Sequence, residues 1–215
     1  MPKAFKPPER ASLHELVRER GLLTESELAT LIAGAPIKGS WWGHPAGKDI
    51  YFALESLVED PELLLCKLIE GKRTLVHRRL WPALIRAQRE DSLWPTVSPE
   101  AKRLLAQVAR RGPVQATGKP RLELERALRV VGQPVHTASG AHEVVLVPFE
   151  SAFPEDALKE AAGLALEDAL RALSEAGFSP AAPPVPRKRS KPPPASKQAT
   201  ATARKRTRQP KRTPG

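Results

Sequence analysis

From Ala181 to the last residue the sequence holds nothing from which a core can be built. These 35 residues contain eight prolines, 11 Lys or Arg, no Asp or Glu, no aromatic residue and only Val185 as a sizeable aliphatic side chain. Such a segment cannot bury enough apolar surface to offset the entropy of ordering it. Residues 179–215 are therefore expected to form a disordered basic tail, and residues 1–10 (MPKAFKPPER) a short irregular arm. The fold is confined to roughly 11–178. The same boundary divides the charge. The chain carries 35 bases and 24 acids, a formal net charge of +11; without the tail's 11 cations the body has 24 of each.

A single cysteine, Cys66, excludes an internal disulfide framework and a cysteine-rich zinc ribbon. There is no run of eighteen apolar residues, and the charged N-terminus lacks the apolar block of a secretory signal. These features predict a soluble cytoplasmic protein with no membrane partner.

Within the body the hydrophobic period changes several times. Leu13, Leu16 and Val17 have helical spacing up to Gly21, and Thr24 with Glu27 forms a capping-box pair that opens a second helix ending at Gly34. The Trp- and Gly-rich connection PIKGSWWGHPAG leads to a third helix over about 47–59, with Ile50, Leu54 and Leu57 on one face and Pro61 after it. LLLCKLIEGKRTLVHRR then reads as a hairpin turning at Glu70-Gly71-Lys72, followed by a helix from Trp81 to about Arg89. The order recurs more loosely afterwards. Ser98-Pro99-Glu100 opens a helix to about Arg110, GPVQATGKP is a linker with room for one short turn of helix, and Arg121 to Val131 is a further helix. PVHTASGAHEVVLVPF is a second hairpin turning at Ser139-Gly140. A long helix over 154–176 closes the body, with Leu158, Ala162, Leu166, Ala169 and Leu173 in a stripe that can cover the body or pair with a partner helix, including that of a second copy.

Three helices followed by a hairpin is an order that resembles the winged-helix superfamily. The expected class is mainly α with small β-hairpins, of winged helix-turn-helix type. Two tandem units are expected, over 11–92 and 98–178, the second including the long C-terminal helix. The resemblance implies that the third helix of each unit is the recognition helix and the hairpin a wing on the nucleic-acid backbone.

Charge supports contact with phosphates. Residues 66–89 contain Lys67, Lys72, Arg73, Arg78, Arg79, Arg86 and Arg89 against Glu70 alone. Residues 101–131 contain eight bases, among them Arg110, Arg111, Lys119, Arg121, Arg126 and Arg129, against Glu123 and Glu125. Such clusters bind a phosphate backbone with steep salt dependence. The third helix opposes the pattern, with Lys48 set against Asp49, Glu55, Glu59 and Asp60. In the tail, Arg187-Lys188-Arg189 and Arg204-Lys205-Arg206 lie between Pro, Ala, Ser and Thr, which resembles the tails of linker histones and bacterial nucleoid proteins. The Gly-Arg-Pro core of an AT-hook is missing.

The remaining motifs carry less chemistry. Gly43 to Lys48 is one residue short of a phosphate-binding loop, and Asp49 stands where a hydroxyl should hold magnesium. Trp41 and Trp42 suit base stacking or a partner's grip, although at least one is expected in the core. The five histidines form no ligand set, although His136 and His142 flank the second turn beside Glu143. Cys66 lies among leucines as a core residue. Some bacterial alkylpurine DNA glycosylases resemble tandem winged helices with a Gln-x-Asp or Gln-x-Gln motif, from which Gln88-Arg89-Glu90 departs. The expectation is a non-enzymatic, nucleoid-associated DNA-binding protein without metal or cofactor, RNA being a second polyanion it can meet. A protein-interaction adaptor, like the winged-helix pairs of bacterial chromosome-segregation complexes, is the alternative.

Overall fold

The computed structural model describes residues 10–136 and 142–180. The arm before Arg10, the Ser139-Gly140 turn and the basic tail from 181 lie outside the described residues. Helix α1 (Arg10–Arg20) leads through a short strand β1 (Leu22–Thr24) into α2 (Glu25–Ala33) and α3 (Gly47–Val58). Strands β2 (Leu63–Lys67) and β3 (Arg73–His77) form the first hairpin, and α4 (Trp81–Gln88) follows. Next come α5 (Pro99–Arg111), β4 (Val114–Gln115) and α6 (Gly118–Arg126). The second hairpin is β5 (Val130–His136) with β6 (His142–Pro148), and α7 (Glu155–Gly163) and α8 (Leu166–Glu175) complete the body. The described chain is thus mainly helical, with two antiparallel three-stranded sheets ordered β1-β3-β2 and β4-β6-β5. None of its helices is long and apolar enough to cross a membrane.

Local chemistry explains most of the boundaries. Thr24 Oγ1 accepts from the Glu27 amide at 3.2 Å while Glu27 Oε2 accepts from the Thr24 amide at 2.8 Å, the capping box expected from the sequence. Gly34 ends α2 in the left-handed region. Ser98 caps α5 with Pro99 in its first turn. The first hairpin turns where expected, with Glu70 and Gly71 both at positive φ.

The first sheet is buried on both faces, which explains why its strands read as continuous apolar runs rather than alternating ones. On one face Leu23, Leu63 and Leu75 join Leu13, Val17, Leu28, Ile50 and Leu57 in a core closed by α1, α2 and α3. On the other, Leu22, Leu64, Cys66 and Val76 enter a larger core with α4, α7 and α8. Register places these residues consistently, with Leu22 and Leu64 both opposite Val76 on the central strand. The second sheet divides in the same way. Val130 and Leu146 pack under α5 and α6, while Val131 and Val147 reach the same large core as the first sheet. Residues on both sides of the expected 92/98 boundary therefore share one core.

Helix α4 fills the centre of that core. Seven of its eight residues are buried, the pattern of a helix enclosed on all sides. The buried indoles are satisfied, Trp81 Nε1 donating to the Val76 carbonyl at 3.1 Å and Trp94 Nε1 to that of Ala87 at 3.0 Å.

Three expected elements are corrected. The single helix over 154–176 is two, broken at Leu164-Ala165 where the backbone is extended. Ala157, Ala161, Ala169 and Leu173 are buried within the body, and Ala162 of the expected stripe is exposed. The helix expected over 121–131 begins at Gly118 and ends at Arg126; Leu128 turns left-handed at φ 48, and Val130 and Val131 enter β5. Burial of Leu128 in the large core offsets that backbone strain. The linker GPVQATGKP holds helical residues, the start of α6, in the room expected for a short turn, and in addition the unexpected strand β4.

Leu84 is fully buried in the shared core. Leu84→Ala is expected to lower stability by about 2–5 kcal/mol in chemical denaturation. Because both sheets depend on this core, circular dichroism and tryptophan fluorescence should report one coincident transition. Two separated transitions would contradict the shared core.

Candidate functional site

The basic residues singled out in the sequence are distributed unevenly between internal pairs and solvent. Lys67 Nζ lies 3.0 Å from Glu125 Oε2, with 19% of its side chain and 7% of that of Glu125 exposed. Arg121 donates to Glu125 Oε1 at 3.3 Å. Arg73 pairs with Glu25 at 3.3 Å, and Arg78 with Glu62 and Asp156 at 3.5 and 3.1 Å. Arg79 caps α1 by donating to the carbonyls of Arg18 and Glu19, both at 2.9 Å. Arg129 pairs with Asp91 at 2.7 Å, Arg89 with Glu150 at 2.8 Å, and Arg86 donates to the Leu164 carbonyl at 3.2 Å. Arg78, Arg79 and Arg89 make these contacts at the exposed surface, and Lys72, Arg110, Arg111, Lys119 and Arg126 are exposed as well. Lys72 still meets Glu70 at 2.6 Å, holding that carboxyl below its usual range, and Lys119 meets Glu123 at 3.7 Å. Arg126 lies over the hairpin turn, where a Cβ on Gly71 would come within 2.9 Å of its Nε. Arg187, Lys188, Arg189, Arg204, Lys205 and Arg206 lie outside the described residues.

The most distinctive surface is built by the Trp segment. Ser40 starts a 3-10 turn over Trp41–Gly43, and Gly47 opens α3 so close to it that a Cβ would fall 2.9 Å from the Trp41 carbonyl. Only glycine permits this approach. Trp41 Nε1 donates to Glu25 Oε1 at 2.9 Å, and Arg73 reaches the same carboxylate, so α2 and β3 orient the indole. Trp42 stacks on Trp41 with ring centroids 4.4 Å apart and planes 20° apart, and Tyr51 lies 5.9 Å from Trp42. Trp41 is half-buried and packs against the core under α1, α2 and α3, whereas Trp42 is 69% exposed. Phe52, 52% exposed, continues the patch along α3 with the Lys48 ammonium 5.7 Å from its ring centre.

Trp41, Trp42 and Tyr51 rim a groove of about 580 Å3 between α3 and β5. Leu54 and Val58 line it from α3, Leu65 from β2, and Val130 and Val144 from the second sheet. Glu125 lies on its floor between Lys67 and Arg121. Gly132 makes room for this carboxylate, since a Cβ there would collide with Glu125 Oε1 and lie 2.9 Å from Val144 Cγ1. Tyr51 donates to Glu55 Oε1 at 3.0 Å, which pushes the phenol's pKa up. Cys66 lines the same groove, yet burial pushes its thiol up to about 12. It therefore stays protonated at neutral pH and is a poor nucleophile.

Sequence reasoning found the Trp pair, Cys66 and the basic residues. It missed Glu25, Glu125, Tyr51, Glu55 and Gly132. Of these, the i, i+4 spacings of Tyr51 with Glu55 and of Arg121 with Glu125 left a readable signal. His136 and His142 are paired directly across β5 and β6, as their flanking positions suggested. Gln88 ends α4 and is buried, and Arg89 is held by Glu150. Comparison with known proteins finds no matching family model, no matching curated protein and no matching solved structure.

Two outcomes test this geometry. Glu125→Ala leaves Lys67 and Arg121 facing one another half-buried, and removing one member of a buried pair costs about 3–5 kcal/mol; a lowered denaturation midpoint checks it. Cys66 should resist alkylation by iodoacetamide in the folded protein at pH 8 and react fully in denaturant.

Proposed function

We propose that the chain is a non-enzymatic DNA-associated protein of winged-helix type, held on the duplex by its basic tail rather than by insertion of α3 into a groove. One observation carries the reading. Most cations of the 66–89 block are consumed by carboxylates or carbonyls of the body, whereas the tail's 11 cations have no acid within their own segment. Phosphate neutralisation by such a segment is independent of sequence.

The order α1-β1-α2-α3-β2-β3, with β3 central in its sheet, supports the winged-helix assignment of the first unit. The second unit follows the same plan with one helix fewer, placing α6 before its hairpin. On this reading the protein works at the nucleoid of the cytoplasm, and the exposed Arg110, Arg111 and Arg126 add a modest contact from the body.

A second reading, as a protein-interaction adaptor, draws on a separate observation. α3 presents exposed Phe52, half-buried Tyr51 beside Trp42 and the exposed carboxylates Asp49 and Glu59 where a DNA-reading helix would present basic side chains. The two readings are compatible, with the tail on nucleic acid and the body on a protein.

Duplex-DNA affinity measured against salt tests the first reading. Full-length protein should lose about 10³–10⁵ in affinity between 50 and 200 mM salt if the tail makes six to ten phosphate contacts. A 1–180 truncation should bind far more weakly with a flatter slope. Equal affinity and slope for the two proteins would overturn it.

A further inference from the structure

The α3–β5 groove has properties that restrict what it can hold. Its cations are engaged within the body: Lys67 and Arg121 share the one Glu125 carboxylate, and Arg73 pairs with Glu25, which sets three cations against two carboxylates. Glu59, which is exposed and has no partner among the described residues, and Glu55, which among them accepts the Tyr51 hydroxyl, bring the carboxylates to four and leave a net single negative charge on the α3 wall. A phosphate-bearing strand would meet this charge unfavourably, although stacked indoles alone would suit bases. A cationic occupant is favoured.

Backbone chemistry narrows the choice further. β5 is the edge strand of its sheet, which invites an added strand, but Pro134 lies in it and has no amide to donate. An occupant must therefore bind through its side chains and carbonyls more than through a β-ladder. A polyproline II segment does this. It is extended before binding, its carbonyls are fully available, and its rings pack against aromatic faces. Trp42 offers both an exposed ring face and an indole N–H that makes no hydrogen bond among the described residues. Gly47 and Glu25 fix its stacking partner Trp41, so the aromatic rim is built before any ligand arrives.

We propose that this groove docks a proline-rich, basic segment of a partner protein, the prolines against Trp42 and Tyr51 and an Arg or Lys of the segment against Glu59 and Glu55. The proposal names the partner chemistry of the adaptor reading and rests on it. It does not depend on the tail's contact with DNA.

The test uses the full chain and a fluorescein-labelled synthetic peptide of Pro-Pro-Leu-Pro repeats carrying two arginines, with binding followed by anisotropy. Saturable binding is expected, weakened at least tenfold by Trp42→Ala and by Glu59→Lys. Both residues are exposed, so the variants should keep the denaturation midpoint of the parent. Replacing the peptide's prolines with alanine while keeping its arginines should weaken binding to a similar degree. An equal response to the alanine peptide would overturn the proposal, as would tighter, Trp42-dependent binding of oligo-dT. Trp42-dependent binding of an amphipathic helical peptide, with none of the proline peptide, would overturn the proline chemistry and leave the adaptor reading standing. Failure of every peptide to bind would overturn both.

Discussion

The enclosure of α4 is the constraint on which the rest of the structure depends. An eight-residue helix with seven buried residues needs apolar surface on every side. The first sheet supplies it through Leu22, Leu64 and Val76, the second through Val131 and Val147, and the C-terminal helices through Ala161, Ala169 and Leu173. Because strand residues alternate between faces, each sheet serves this central core with one face and its own helices with the other. The two hairpin units are consequently halves of one packing problem. The Trp segment, α3, α6 and β5 are brought around a common groove as a result.

Much of this architecture was legible in the sequence, and what escaped has physical reasons. The Thr24-Glu27 box, the Glu70-Gly71 turn and Pro82 in the first turn of α4 are local signals whose chemistry is complete within a few residues. β1 is three residues between Gly21 and the capping box, too short for alternation to declare itself. The end of α6 was hidden because its terminator is Leu128, a residue placed in the left-handed region by tertiary burial rather than by preference. The break between α7 and α8 follows Gly163, the last residue of α7, but the apolar stripe continues in helical period on both sides and masked that stop signal.

The site was less legible than the fold. A count of bases gave two equal blocks of positive charge, yet the count could not see that Glu125, distant in sequence from Lys67, neutralises it on the groove floor. The buried carboxylate also explains Gly132, whose missing side chain leaves the space that Glu125 occupies. The Trp pair divides between the two expectations held for it, one indole against the core and the other open to a partner. Its value lies in exposure, with Trp41 held by Glu25 and Trp42 left facing solvent. Charge and aromaticity thus divide the proposed work: polyanion contact to the tail, selective contact to the α3 face.

That division is tested most directly by mapping where duplex DNA touches the full chain, through amide chemical-shift changes at moderate salt. The account predicts shifts concentrated in residues 181–215, with the amides of Gly47–Val58 unmoved. Shifts along α3 with the tail unaffected would contradict it.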